Sequence, residues 1–194
     1  RIAVDFGATV PAAQRATDRA NVASFAGQLA RASGHPVGMA DSPEAANFTV
    51  LFVNDPERRE LGPRLSALVP GIDRSATDAV ARMPPETFCL VFAFSEGTSP
   101  VYTRAVAVIR AEHPDLLRLS CIHEELAQGM GLANDSPVAR PSIFNDDEEF
   151  ALLTPQDELM LRIHYDRRLT PGMTAEQARP IVARIAAELM GSGS

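Results

Sequence analysis

The sequence predicts an α+β domain built on a mixed twisted sheet, and three observations carry that prediction. Short runs rich in β-branched and aromatic residues (IAVDF at 2–6, FTVLFV at 48–53, FCLVFAF at 88–94) are separated by helical segments. The last of them is followed, after a turn at 95–100, by a second strand-like run, VYTRAVAVIR at 101–110. From residue 114 onward the pattern is helical and irregular, with no further strand signal. The expected order is β-α-β-(α)-β-β-α-loop-α-α, which suits a sheet with helices packed on it.

Each element has a local reason. Residues 11–33 place Val22, Phe25, Leu29 and Ala32 on one helical face, and Gly34 stops that helix. FTVLFV reads as a buried strand. Asp55-Pro56-Glu57 offers a cap, a first-turn proline and an acid, so a helix is expected to about Val69. Residues 70–86, rich in Pro, Gly and Asp, read as a surface connection. FCLVFAF reads as buried, and 101–110, which alternates only weakly, as a strand near an edge. A helix is expected over 114–130, with Gly131 at the left-handed position that ends it. A loop runs to Phe150. Thr154-Pro155-Gln156-Asp157 then opens a helix to about Tyr165, and the T-x-x-Q box at Thr174–Gln177 opens a last one with Ile181, Ile185 and Leu189 as its stripe. Pro180 sits late for a first turn and is expected to kink it.

Composition bounds the function. The 194 residues fit one domain, 1–190, with sheet and helices over 1–113 and the later helices over 114–190. The terminal GSGS, 191–194, reads as a cloning scar. A hydrophobic content of 45% supports a sizeable core. All 18 basic residues are arginine, and the net charge of -7 argues against a nucleic-acid partner, which needs a basic face. No apolar run reaches the roughly 18 residues of a membrane span. The chain starts at Arg1, so a signal peptide or a lipid anchor upstream is expected to have been removed. Cys89 and Cys121 permit one disulfide or two buried thiols, and both readings stay open.

The segment CIHEELAQGMGLANDS, 121–136, concentrates the chemistry. On a helix, Glu124 and Gln128 share a face, Glu125 lies beside it, Gly131 lets the chain turn sharply, and Asn134 can return toward the same point. From Glu124 the residues read E-E-x-x-Q-x-x-G-x-x-N-D. The spacing resembles H-E-x-x-H-x-x-G-x-x-H-D, the zinc signature of the metzincin metallopeptidases, with its three histidines replaced. Ser142-Ile143-Phe144 resembles the S-I-M of the metzincin Met-turn, with Phe144 in the methionine position. Leu153-Thr154-Pro155-Gln156-Asp157 through Tyr165 resembles the L-T-x-x-D…L-Y segment of matrixin- and serralysin-like enzymes. The resemblance covers 101–166. The chain is also similar to an uncharacterised bacterial family, many of whose members are described as lipoproteins, that carries E-E-L-x-Q-x-L-G-L-x-N-D-S.

The resemblance implies a zincin fold with a motif-bearing helix. It implies metal-ligand positions at Glu124, Gln128 and Asn134, a general base at Glu125, and structural roles for Gly131, Asp135 and Phe144. Zinc prefers imidazole or thiolate, so one carboxylate and two amides suit it poorly. Without a metal, water keeps its high pKa and Glu125 has no nucleophile to activate. The expected function is therefore a non-catalytic metallopeptidase-like domain of the bacterial envelope or periplasm that binds a peptide or protein and holds no cofactor. The alternatives are a divergent hydrolase using zinc or another divalent cation with Glu125 as base, and a purely structural envelope domain.

The remaining candidates have plainer readings. His123 has Ala127 four residues on and reads as a surface histidine; His35 and His113 share no motif spacing, and His164 reads as a core-edge residue. The run Asn145-Asp146-Asp147-Glu148-Glu149 lacks the glycine of a calcium loop and reads as a solvated acidic loop. Ser120, Ser136 and Ser142 lack a nucleophile-elbow context, and Cys121 with His123 on one helix rarely reaches nucleophile–base geometry.

Overall fold

A computed structural model describes residues 1–145 and 149–191. Four strands form one mixed sheet: β1 (Ile2–Phe6), β2 (Phe48–Val53), β3 (Cys89–Ser95) and β4 (Tyr102–Arg110), in spatial order β1-β2-β4-β3. β1 pairs parallel with β2, and β2 parallel with β4; β3 runs antiparallel to β4. The 101–110 strand, expected near an edge, is therefore interior, and β3 is the edge. Residues 105–109 of β4 are fully buried, as a strand flanked and covered on both faces must be. Its polar start, Tyr102-Thr103-Arg104, produced the edge-like signal, and those residues are exposed.

The helices are α1 (Ala12–Ser33), α2 (Asp55–Arg59), α3 (Gly62–Leu68), α4 (Arg74–Ala81), α5 (Asp115–Gly129), α6 (Pro155–His164) and α7 (Ala175–Gly191). The single helix expected over 55–69 is two. Asn54, not Asp55, caps the first, in a capping box with Glu57, and Gly62-Pro63 starts the second. The expected surface connection at 70–86 contains α4, capped by the Asp73 side chain on the Ser75 N–H. Turn-forming residues around it masked an eight-residue helix that buries Val80. α7 keeps its T-x-x-Q box at Thr174 and carries Pro180 inside its first turns.

The sheet has a core on each face. On one, α1, α5 and α6 cover Val4, Phe48, Val50, Phe52, Ala105 and Ala107. On the other, α3 and α4 bury Leu65 and Val80 against Leu51, Val53, Val106 and Val108. Period-2 alternation in the strands divides their side chains between these two cores. A buried ion pair joins α1 to α5: the Arg118 Nε lies 3.0–3.1 Å from both Asp18 carboxylate oxygens, and Arg118 is 4% and Asp18 0% exposed. Arg118 also donates to Asp115, at the start of its own helix. No described helix is long and apolar enough to cross a membrane.

Candidate functional site

α5 places the motif beneath the sheet edge. Gly129 is there because a Cβ would lie 2.6 Å from the Phe48 ring and 3.2 Å from Val91, so the helix end lies directly against the sheet. A Cys89–Cys121 disulfide staples the first residue of β3 to the middle of α5. Between them opens a cleft of about 640 Å³. Residues 86–89 line one side, and Leu117, Ser120, Cys121, Glu124 and Glu125 of α5 form another. The chain beyond α5 closes it with Asp135, Ile143, Asn145, Phe150 and Ala151.

Glu125 is 4% exposed and lines this cleft, and its Oε2 is buried with no hydrogen-bond partner among the described residues. Burial pushes its carboxyl well above the ordinary carboxylate range, and the neighbouring Glu124 and Asp135 charges push it further. Ligand atoms of Cys89, Glu124 and Glu125 lie within 4.8 Å of one another, but the Cys89 sulfur is held in the disulfide. A disulfide sulfur is not the thiolate that binds metals.

The three positions of the resembled ligand set are not presented together. Glu124 lines the cleft. The Gln128 side-chain amide instead donates to the Asp135 Oδ1 at 2.9 Å. Asn134 is exposed and is not among the residues lining the cleft; its neighbour Asp135 takes that place. Protein zinc sites are built mostly on imidazole and thiolate, with carboxylate as an added ligand, and of these three positions only the Glu124 carboxylate lines the cleft.

Gly131 has φ +119°, and a Cβ there would sit 2.4 Å from His164 Nε2, so both conformation and space demand glycine. The Tyr165 hydroxyl donates to the Met130 carbonyl at 2.8 Å and fixes the same corner. His123, expected at the surface, is buried. Its ring stacks on Phe25 with centroids 3.8 Å apart, and its Nδ1 accepts the Leu153 N–H. Burial lowers its pKa to about 4. The helix is turned so that 122, 123, 126 and 127 face the core, a rotation the E-E-x-x-Q pattern does not reveal.

Phe144 is buried, and its carbonyl accepts the Ser136 N–H at 2.8 Å, which closes the loop after α5. The organiser of this turn is Asp157, fully buried, whose role sequence reasoning missed. Its carboxylate accepts from the Ser142 hydroxyl, the Ile143 N–H, and the Thr154 N–H and hydroxyl, at 2.6–3.0 Å. The signal was present in the S-I-F and L-T-P-Q-D segments; what was missing was that they meet. Asn145 is not part of a solvated run either. It is 7% exposed and donates to the carbonyls of Pro137 and Ala139. Glu149 is exposed and pairs with Arg140, while Asp146, Asp147 and Glu148 lie outside the described residues, as do 192–194 of the terminal GSGS.

β3 has a free side. The Arg110 N–H donates to the Phe88 carbonyl, so by the alternation of an antiparallel ladder Cys89, Val91 and Ala93 turn their backbone groups away from β4. Among the described residues, no other strand pairs with that side.

Residues 1–184 match the model of a family described as protein of unknown function (DUF2927), and the chain belongs to that family. No curated protein and no solved structure matches it.

Proposed function

We propose that this member of a family of unknown function is a non-catalytic, metallopeptidase-like binding domain. It takes an extended peptide or protein segment along β3, over the cleft between β3 and α5. The observation that carries the reading is the open side of β3, bordering a cleft of about 640 Å³ with Cys89 common to both. An unpaired strand edge is a template for strand addition, in which backbone bonds supply affinity and alternate side chains reach pockets on one face.

The donor set supports binding over hydrolysis. The resemblance assigns Glu125 the role of general base, but burial and two neighbouring acids favour its protonated form. Gln128 is hydrogen-bonded to Asp135, and Asn134 is exposed outside the cleft lining. A hydrolase would have to recruit a metal with Glu124, Glu125 and Asp135, without imidazole or thiolate.

The test uses the outward N–H of Ala93. Ala93→Pro removes that donor without removing a ladder bond to β4, a placement that edge strands tolerate. Peptides selected from a random extended library should bind the wild type, remain uncut, and bind Ala93→Pro at least about tenfold more weakly, while circular dichroism of the variant is unchanged. A library that yields no ligand, or binding indifferent to Ala93→Pro, sinks the reading and leaves a structural domain. Chelator-sensitive cleavage would establish the hydrolase instead.

A further inference from the structure

We propose that the Cys89–Cys121 pair is a thiol–disulfide exchange centre, attacked at Cys89 by a thiolate entering the cleft, with Glu125 as the acid that protonates the departing Cys121 sulfur. The inference needs only the cleft and the bridge, and stands apart from strand addition.

The first support is access. A bridge that only staples works as well sealed in a core, but both cysteines of this one line the cleft of about 640 Å³. The two sulfurs are not equally placed. Cys121 is 2% exposed, whereas Cys89 opens β3 and is only half-buried. Access therefore directs attack to Cys89 and makes Cys121 the leaving group.

The second support is Glu125, whose burial is otherwise unexplained. Its Oε2 is shut off from the cleft and has no hydrogen-bond partner among the described residues. The neighbour that can change is the bridge. A Glu125 carboxylate oxygen lies within 4.8 Å of the Cys89 sulfur, and Cys121 precedes Glu125 by one turn of α5 on the same helix face. A disulfide has no proton to give, so the oxidised protein leaves this acceptor empty. Each thiol made by reduction carries an S–H donor. The charged groups around Glu125 are Glu124 of α5 and Asp135 beyond it, and together with burial they keep its proton on. A thiolate left on buried Cys121 beside these acids is a poor leaving group, and a proton from Glu125 removes that penalty.

The reaction balances with two equivalents of thiol, or one dithiol, as reductant. The first thiolate bonds to the Cys89 sulfur, and the bond to Cys121 breaks. Its electron pair stays on Cys121, which takes the Glu125 proton. A second thiolate attacks the outer sulfur of the mixed disulfide and releases Cys89. The two protons of the reagent thiols go to Cys89 and back to Glu125. The protein gains two electrons and the reagent leaves as a disulfide. Run in reverse, the same steps oxidise a dithiol.

The test follows acid-quenched exchange of the folded, oxidised protein with excess glutathione by mass spectrometry. Rates are divided by the ionised fraction of glutathione, so that only the protein's own titration remains. The rate should grow in proportion to glutathione, and the trapped adduct should map to Cys89. The corrected wild-type rate should fall about tenfold or more as pH rises and Glu125 ionises, in keeping with general-acid catalysis. Glu125→Gln should be slower by at least about tenfold at low pH, with a flat corrected profile. The wild-type profile makes the same test without a variant. A cysteine in an acetylated peptide of alternating threonine and valine that reacts about tenfold faster than glutathione identifies the partner as an extended protein segment. Equal rates identify a small thiol, and the centre stands in both cases. A rate that does not depend on glutathione, because the bridge reacts only after unfolding, overturns the inference. So do an adduct at Cys121 and a flat corrected profile in the wild type.

Discussion

Removing the Cys89–Cys121 bridge should cost the protein several kcal/mol, with consequences for the cleft. The two residues are 32 apart in sequence. Loop-closure entropy for a ring of that size is about 12.4 cal/mol/K, or about 3.7 kcal/mol at room temperature. An unfolding entropy near 2.1 cal/mol/K per residue over 194 residues converts this to a Tm fall of about 9 °C. The bridge also ties the free strand to the motif helix, so its loss should loosen β3 over the cleft and weaken the peptide binding proposed for it. The assay is guanidinium unfolding of oxidised wild type, reduced wild type and Cys89→Ser/Cys121→Ser. Thiol titration of the denatured protein verifies each redox state. Reduced wild type keeps both sulfur atoms, so it separates cross-linking from lost packing at Cys121, which is 2% exposed. A reduced protein within about 1 kcal/mol of the oxidised one would refute the reasoning, and free thiol in untreated protein would refute the bridge itself.

Three further outcomes follow from the site. His123, lowered to about 4 from its ordinary 6.5, binds a proton less readily folded than unfolded, so its contribution is present above pH 6.5 and is lost as pH falls toward 4. Its full loss is about 3 kcal/mol at most. An NMR titration of its ring should show no protonation at pH 5.5, and a midpoint near 6.5 would contradict the buried stack on Phe25. Glu125 has the opposite sign: a carboxyl raised on folding loses stability as pH rises above 4.5. Glu125→Gln should therefore be more stable than wild type at pH 8 by about 1–3 kcal/mol, with the gain shrinking toward pH 4; thermal melts at both pH values check it, and a destabilised variant at pH 8 would contradict it. Gly131→Ala should lose about 2 kcal/mol or more, since it combines a positive φ with a clash against His164. A melt of Gly131→Ala/His164→Ala should recover only part of that loss, because the backbone strain remains.

Legibility differed between fold and site for a physical reason. Strands and capped helices are local. IAVDF and FTVLFV, the Thr154 cap with Asp157, and the T-x-x-Q at Thr174 are short-range devices that form where they are written. The α+β class and the order of elements followed from them. Errors fell where local signals compete. Gly, Pro and Asp around α4 read as loop, though Val80 had a core to enter, and the polar start of β4 read as an edge.

The site depended on encounters between distant segments. Sequence alone determined that Glu124, Gln128 and the turn at Gly131 share one helix end, because helical spacing sets that. It left the two cysteines open, since a bridge requires two chain segments to come within bonding distance. Only the tertiary structure joined Cys89 to Cys121, placed β3 at the edge, and turned α5 so that His123 entered the core and Glu125 the cleft. It also put Asp135 in the cleft in place of Asn134 and made Asp157 the anchor of the turn at Phe144. Burial and side-chain direction decide which carboxylate is an acid, an anchor or a contact, and both are set by what packs around a residue.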